Sequence, residues 1–129
     1  MNIYASAEDY LETILKLYEK KGYVRSIDIA TELNYSKPSV SIAMKKLREN
    51  GYIQMDESGF ITLLPPGEEI AVRIYERHKL LTSFFTKLGV SPETAAADAC
   101  KVEHDLSEET YQRIKEHALT SVHAQFSEE

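Results

Sequence analysis

The sequence predicts a mainly α-helical chain carrying one small β-hairpin. Three observations carry that expectation. Apolar residues recur at helical spacing behind capping residues, two short apolar stretches flank Asp56-Glu57-Ser58-Gly59, and Pro65-Pro66-Gly67 separates one group of helices from another. With 129 residues, 43% hydrophobic and 28% charged, the chain has the composition of a globular protein able to bury its own core. One cysteine rules out an intrachain disulfide, and the N-terminus lacks the basic start and apolar run of a secretory signal, so a cytoplasmic location is expected. No apolar run reaches the roughly 18 to 20 residues that cross a bilayer, which excludes the membrane class.

The first helix is expected from about Ala7 to Lys20, capped by Ser6, with Leu11, Ile14, Leu15 and Tyr18 as its apolar stripe and Gly22 at its end. A second, short helix follows Ser26 and turns Ile29, Ala30 and Leu33 inward; Asn34-Tyr35 breaks it before Ser36 caps a third. Pro38 is compatible with the third helix because it lies in the first turn, where no intrahelical N–H bond is made, and Gly51 ends that helix. Two short helices around a tight turn outline a helix-turn-helix. Tyr52-Ile53-Gln54-Met55 and Phe60-Ile61-Thr62-Leu63 then form the antiparallel hairpin that serves as a wing.

Pro65-Pro66-Gly67 is the expected boundary between a winged helix-turn-helix over residues 1–64 and a helical domain over residues 65–129. In the second domain a long helix runs from about Glu68 to Leu88, with Ile70, Ile74, Leu81, Phe85 and Leu88 on one stripe, and offers the backbone of a homodimer. Ser91-Pro92-Glu93 opens a further helix to about Leu106, and Ser107 caps a last one through about Ala118.

A net charge of -6 argues against nucleic acid as a partner, because phosphate binding is driven by clustered Lys and Arg. The distribution answers part of that objection, since Lys37, Lys45, Lys46 and Arg48 fall together on the third helix. On a helical wheel Val40, Ala43, Met44 and Leu47 point one way, while Pro38, Ile42 and Lys45 point the other. An exposed isoleucine beside Ser39, Ser41 and Lys45 fits contact with thymine methyl groups while serines and lysines reach bases and phosphates. The alternative is that Ile42 packs under the wing and the lysines form an ordinary solvated face. On the DNA reading the contacting set is Ser36, Lys37, Pro38, Ser39, Ser41, Ile42, Lys45 and Lys46.

Several residues have the chemistry of metal ligands. Asp9 and Glu12 stand three residues apart on the first helix and can reach one point, although a carboxylate there also suits the helix dipole or plain surface charge. His78 falls inside the stripe of Ile74, Leu81 and Phe85, where it is either a hydrogen-bonded core histidine or a ligand. Cys100, Glu103 and His104 share one side of their helix, with Ala95, Ala99, Val102 and Leu106 on the core side. His117 and His123 belong to no such group and are read as surface residues.

The segments Glu8-Asp9-Tyr10-Leu11-Glu12, Tyr75-Glu76-Arg77-His78, Cys100-Lys101-Val102-Glu103-His104 and Leu106-Ser107-Glu108-Glu109 resemble, in order and spacing, the DtxR/MntR family of metal-dependent repressors. The resemblance covers nearly the whole chain and implies the short, two-domain architecture: a winged helix followed by a helical metal-binding and dimerisation domain. It implies Asp9, Glu12, His78, Glu103 and His104 as metal ligands. Cys100 departs from the manganese-responsive pattern, which has glutamate there, whereas Asp9 departs from the iron-responsive pattern, which has methionine there. Thiolate favours softer ions and the carboxylates suit Mn(II) and Fe(II), so the activating ion is expected to be Fe(II) or Mn(II), with iron slightly favoured. Cys100 ligates by its thiolate or contributes only its carbonyl. Thr82 stands where related chains often supply a glutamate, which leaves the number of ions open.

The function these features imply is a metal-activated repressor that binds operator DNA as a homodimer and controls iron or manganese homeostasis. A dication would offset repulsion among Asp9, Glu12 and Glu103 and set the recognition helices at a separation matching two major-groove half-sites. The rivals are a winged-helix regulator sensing a non-metal ligand, a metal-dependent hydrolase and a helical interaction module. The hydrolase lacks a nucleophile or phosphate-cradling loop, so the chain is not expected to be an enzyme.

Overall fold

The apolar periodicity of the first segment closes α1 (Ala5–Lys21), whose buried residues Ala7, Tyr10, Leu11, Ile14 and Leu17 fall on one face at three- and four-residue steps. A computed structural model describes residues 3–127 of the chain, and side chains for residues 3–118. α1 starts two residues before the expected Ala7: Tyr4 is the N-cap residue, and its carbonyl already accepts from the Glu8 N–H, so Ser6 lies within the first turn. Tyr18, expected in the stripe, is 52% exposed, and Leu17 is buried in its place. Gly22 takes a left-handed conformation (φ 84°) and ends the helix as expected.

α2 (Ser26–Leu33) is capped one residue earlier than Ser26, because the Asp28 carboxylate accepts from the Arg25 N–H at 2.9 Å. Asn34, also left-handed at φ 57°, closes it. α3 (Lys37–Glu49) begins where expected, with the Ser36 hydroxyl accepting from the Ser39 N–H at 3.3 Å and Pro38 in the first turn. Val40, Met44 and Leu47 of α3 join Ile29 and Ala30 of α2 and the α1 face in one core.

β1 (Ile53–Met55) and β2 (Ile61–Leu63) pair antiparallel, with Ile53 opposite Leu63 and Met55 opposite Ile61. Between them the Asp56 carboxylate accepts from the Ser58 and Phe60 N–H groups, both at 2.9 Å. Ile53 and Ile61 point into the core, and the Ile61 N–H donates to the Val24 carbonyl, which fastens the hairpin to the connection before α2.

α4 (Pro65–Lys87) starts three residues before Glu68, so the Pro-Pro-Gly punctuation is the first turn of a helix and not a separate linker. Proline lacks only an N–H that the first turn does not use. The chain divides into two compact units, residues 1–75 and 76–129, at a point inside α4. Ile70 and Ala71 of α4 pack on the first unit's core, and Arg73 donates to Glu8 at 3.2 Å.

In the second unit α5 (Pro92–Val102) ends four residues earlier than expected, leaving Glu103 as its C-cap, and α6 (Glu108–Ser127) runs well past Ala118. The Ser107 hydroxyl accepts from the Thr110 N–H at 3.1 Å and caps α6 as expected. Leu81, Ala95, Ala99 and Tyr111 are buried here, whereas Leu88 lies beyond the end of α4 and is 67% exposed, outside the stripe expected for it. Among the described residues no helix is long and apolar enough to cross a membrane.

Candidate metal centre and nucleic-acid interface

In the first unit, α3 turns Val40, Met44 and Leu47 inward and leaves Ser36, Lys37, Pro38, Ser39, Ser41, Ile42, Lys45 and Lys46 exposed. Ile42 is 59% exposed, so it is not packed beneath the hairpin. Ser36 has a second use besides its cap: its hydroxyl donates to the Ser39 hydroxyl at 2.7 Å, which fixes both at the start of α3. The face therefore joins three cations, small hydroxyls and one aliphatic side chain, the mixture that reads phosphates and thymine methyls in a major groove.

Asp9 and Glu12 are one turn apart on α1. Asp9 is partly exposed, while Glu12 is buried to 3% exposure with the Lys16 ammonium 3.6 Å from its Oε1. A carboxylate this deep is not the ordinary surface charge that the sequence left open.

In the second unit the early end of α5 changes the expected arrangement. Glu103, expected on the side opposite the core residues of its helix, is wholly buried at the C-cap. Its Oε2 lies 2.9 Å from His78 Nδ1, and its Oε1, which accepts no hydrogen bond, lies 3.5 Å from His104 Nε2. The His78 side chain keeps 18% of its surface exposed and is therefore at the margin of the buried stripe. Cys100, one turn before Glu103, is exposed, with its Sγ within 4.8 Å of a Glu103 carboxylate oxygen. One turn after His78, Thr82 holds a buried Oγ1 that makes no hydrogen bond. His117 is exposed, as expected, and the side chain of His123 lies outside the described residues.

A buried carboxylate requires a compensating positive charge, which two imidazoles supply only when protonated and a cation supplies outright. Carboxylate, imidazole and thiol together are a donor set that first-row divalent ions accept, so these residues fit a metal. The structure brings His78, Cys100, Glu103 and His104 together within one unit, while Asp9 and Glu12 belong to the other.

Arg77 is the feature sequence reasoning missed. It is 6% exposed, and its guanidinium donates to the carbonyls of Glu103 and Leu106 and to the carboxylate of Glu108. It also lies over the Tyr111 ring, whose hydroxyl is raised above its usual range by burial and then by the nearby Glu76 charge. The available signal was the spacing of Ile74, Arg77 and Leu81, which puts an arginine on the buried stripe of a helix.

Comparison with known proteins agrees with both halves of this picture. Residues 2–59 match the iron-dependent repressor N-terminal DNA-binding domain, and residues 65–120 match the iron-dependent repressor metal-binding and dimerisation domain. The transcriptional regulator MntR of Salmonella typhimurium is 41% identical over 103 residues, covering 80% of this chain and 66% of the relative. The HTH-type transcriptional regulator MntR of Listeria monocytogenes is 39% identical over 109 residues, covering 84% of this chain and 77% of the relative. A manganese-dependent transcriptional repressor solved in complex with manganese superposes with a TM-score of 0.79 at 28% identity, over 86% of this chain and 51% of its own. The chain thus spans less than two thirds of the Salmonella relative and about half of that solved protein. A helix-turn-helix with a cationic outer face and a helical unit with a buried carboxylate between two imidazoles agree with those two matches, and the chain belongs to the iron-dependent repressor family.

Proposed function

We propose that this protein is a metal-activated transcriptional repressor: a homodimer that binds double-stranded operator DNA when Fe(II) or Mn(II) is bound and so controls the supply of that metal. The observation that carries the reading is the wholly buried Glu103 carboxylate with His78 at 2.9 Å and His104 at 3.5 Å. Residues 1–64 act as the DNA-binding domain, and residues 65–129 as the metal-binding and dimerisation domain. The metal ligands are Asp9, Glu12, His78, Cys100, Glu103 and His104. A bound dication supplies the positive charge that offsets Asp9, Glu12 and Glu103.

The rest of the work falls to the chain's own side chains. His78 and His104 offer ring nitrogens to the same site as Glu103, and the Cys100 thiol adds a soft donor that weights the set toward Fe(II) over Mn(II). On α3, Lys37, Lys45 and Lys46 meet phosphates, Ser36 and Pro38 fix the start of the helix against the backbone, and Ser39, Ser41 and Ile42 face base edges. All of these are binding roles.

The test is DNA binding by metal-free protein at fixed salt to a pool of promoter fragments, with Mn(II), anaerobic Fe(II), Zn(II) or chelator in parallel. Binding that requires Fe(II) or Mn(II) is the expected result, and the relative midpoints rank the two ions. Binding indifferent to chelation would remove the switch and leave a winged-helix protein that senses something else.

A further inference from the structure

Two neighbouring residues of α4 hold Glu103 from opposite ends. His78 meets its carboxylate at 2.9 Å, and the Arg77 Nη1 donates to its main-chain carbonyl at 3.1 Å. The same Nη1 donates to the Leu106 carbonyl at 2.8 Å, and Nη2 donates to Glu108 Oε2 at 2.8 Å. All these anchors lie between the C-cap of α5 and the first turn of α6. The carbonyls at the end of a helix have no intrahelical donor, and the negative end of the helix dipole favours a cation. Arg77 therefore satisfies groups that nothing within α5 can satisfy and fixes the turn that presents Glu103.

We propose that Arg77 is a positioning residue of the metal centre, which clamps the turn from Glu103 to Glu108 so that the Glu103 carboxylate is oriented before any ion arrives. The proposal rests on the metal-site reading above. Its physical content is preorganisation: a carboxylate whose backbone is already held loses little freedom on binding, and removal of such outer partners weakens metal sites about 10- to 100-fold. Only a planar fork with several donors reaches two carbonyls and a carboxylate at once, so lysine cannot replace it.

The test uses the full chain stripped of metal, with Arg77→Lys, Arg77→Met and Glu108→Gln variants beside wild type. Mn(II) affinity is read from the free-ion magnetic resonance signal, and order in the metal-free state from amide hydrogen exchange over residues 103–108. Both Arg77 variants are expected to bind Mn(II) about 10- to 100-fold more weakly and to exchange faster over that turn. Glu108→Gln, which leaves both carbonyl bonds in place and removes a partner with a 63% exposed side chain, is expected to stay within about threefold of wild type. Arg77→Lys carries the comparison if the methionine variant does not fold. Arg77 variants that bind Mn(II) as wild type does would overturn the positioning role and leave the metal reading intact. An affinity loss equal in Glu108→Gln, in step with a lowered melting temperature, would likewise make Arg77 merely structural. Wild-type protein that binds no divalent ion would overturn both readings.

Discussion

His78 Nδ1 lies 2.9 Å from Oε2 of Glu103, a carboxylate with no solvent exposure. A charge in that position weakens the metal-free fold unless it is compensated, and it is useful only if something positive is to be bound. Glu103→Gln keeps the volume and a hydrogen-bonding group toward His78 while removing the charge. We expect the variant to melt at or slightly above the wild-type temperature without metal, and its Mn(II) affinity to fall by at least about 100-fold. Calorimetric melting and metal titration of the same samples read both effects. Wild-type metal affinity in Glu103→Gln would mean that the ion binds elsewhere.

Cys100 decides which ions the site prefers, if its thiolate is a ligand. Its Sγ stands within 4.8 Å of a Glu103 carboxylate oxygen, and the residue is exposed. With Co(II) as a probe, a thiolate ligand gives an intense sulfur-to-metal charge-transfer band in the near ultraviolet. We expect that band in wild type and its loss in Cys100→Ser, together with a shift of preference away from Co(II) and Fe(II) toward Mn(II). A wild-type Co(II) spectrum without the band would assign the thiol no ligand role.

Ile42 separates recognition from stability. At 59% exposure it contributes little to the core, so Ile42→Ala should change stability by less than about 0.5 kcal/mol. Lost contact with a thymine methyl should weaken operator binding by about 1 to 2 kcal/mol, at roughly 0.8 kcal/mol per methyl or methylene group no longer buried, with little effect on binding to unrelated DNA. Fluorescence anisotropy with matched operator and scrambled duplexes measures the difference. An equal loss on both duplexes would place Ile42 outside base recognition.

The helices and the hairpin were legible in the sequence because their signals are local. Ser36 before Lys37, Gly22 after Lys21 and Asp56 before Gly59 each act within a few residues of their own position. The ends of α1 and α5 were misread because a helix extends as long as its backbone bonds close. Tyr4 begins α1 through its carbonyl alone, without a side-chain cap to announce it. His78, Glu103 and His104 were legible as candidate ligands from their type and spacing, whereas the burial of Glu103 and the grip of Arg77 depend on residues 26 to 31 positions apart meeting in space. Periodicity along one helix carries no information about such pairs.

Asp28 links the cap of α2 to pH. Its hydrogen bond with the Lys21 ammonium, at 2.7 Å, and the Arg25 N–H hold its carboxyl below the usual range, against a smaller opposing effect of burial. A lowered folded-state pKa means that the stabilisation is present above the unfolded-state value and is lost as pH falls through the folded-state one. The melting temperature of wild type should exceed that of Asp28→Asn by a constant margin above about pH 5, and the margin should close below about pH 4. A margin independent of pH would assign the effect of the substitution to the cap geometry and not to the charge.

Gly67 tests whether Pro65-Pro66-Gly67 is a hinge or part of a packed helix. The residue is buried in the first turn of α4, and a Cβ there would overlap the main-chain carbonyl of Tyr52, with the Leu11 side chain 3.4 Å away. The Tyr52 carbonyl cannot move freely, because it accepts from the Leu64 N–H at 3.0 Å, beside the β1–β2 pair. In an exposed helix alanine would stabilise relative to glycine by up to about 1 kcal/mol. Here we expect Gly67→Ala to destabilise by about 1 to 3 kcal/mol, because the backbone must shift where the first turn of α4 meets the main chain of Tyr52. Denaturant melts of the variant decide the sign. A stabilised Gly67→Ala would show that the start of α4 stands clear of Tyr52 and that the segment is free to act as a linker.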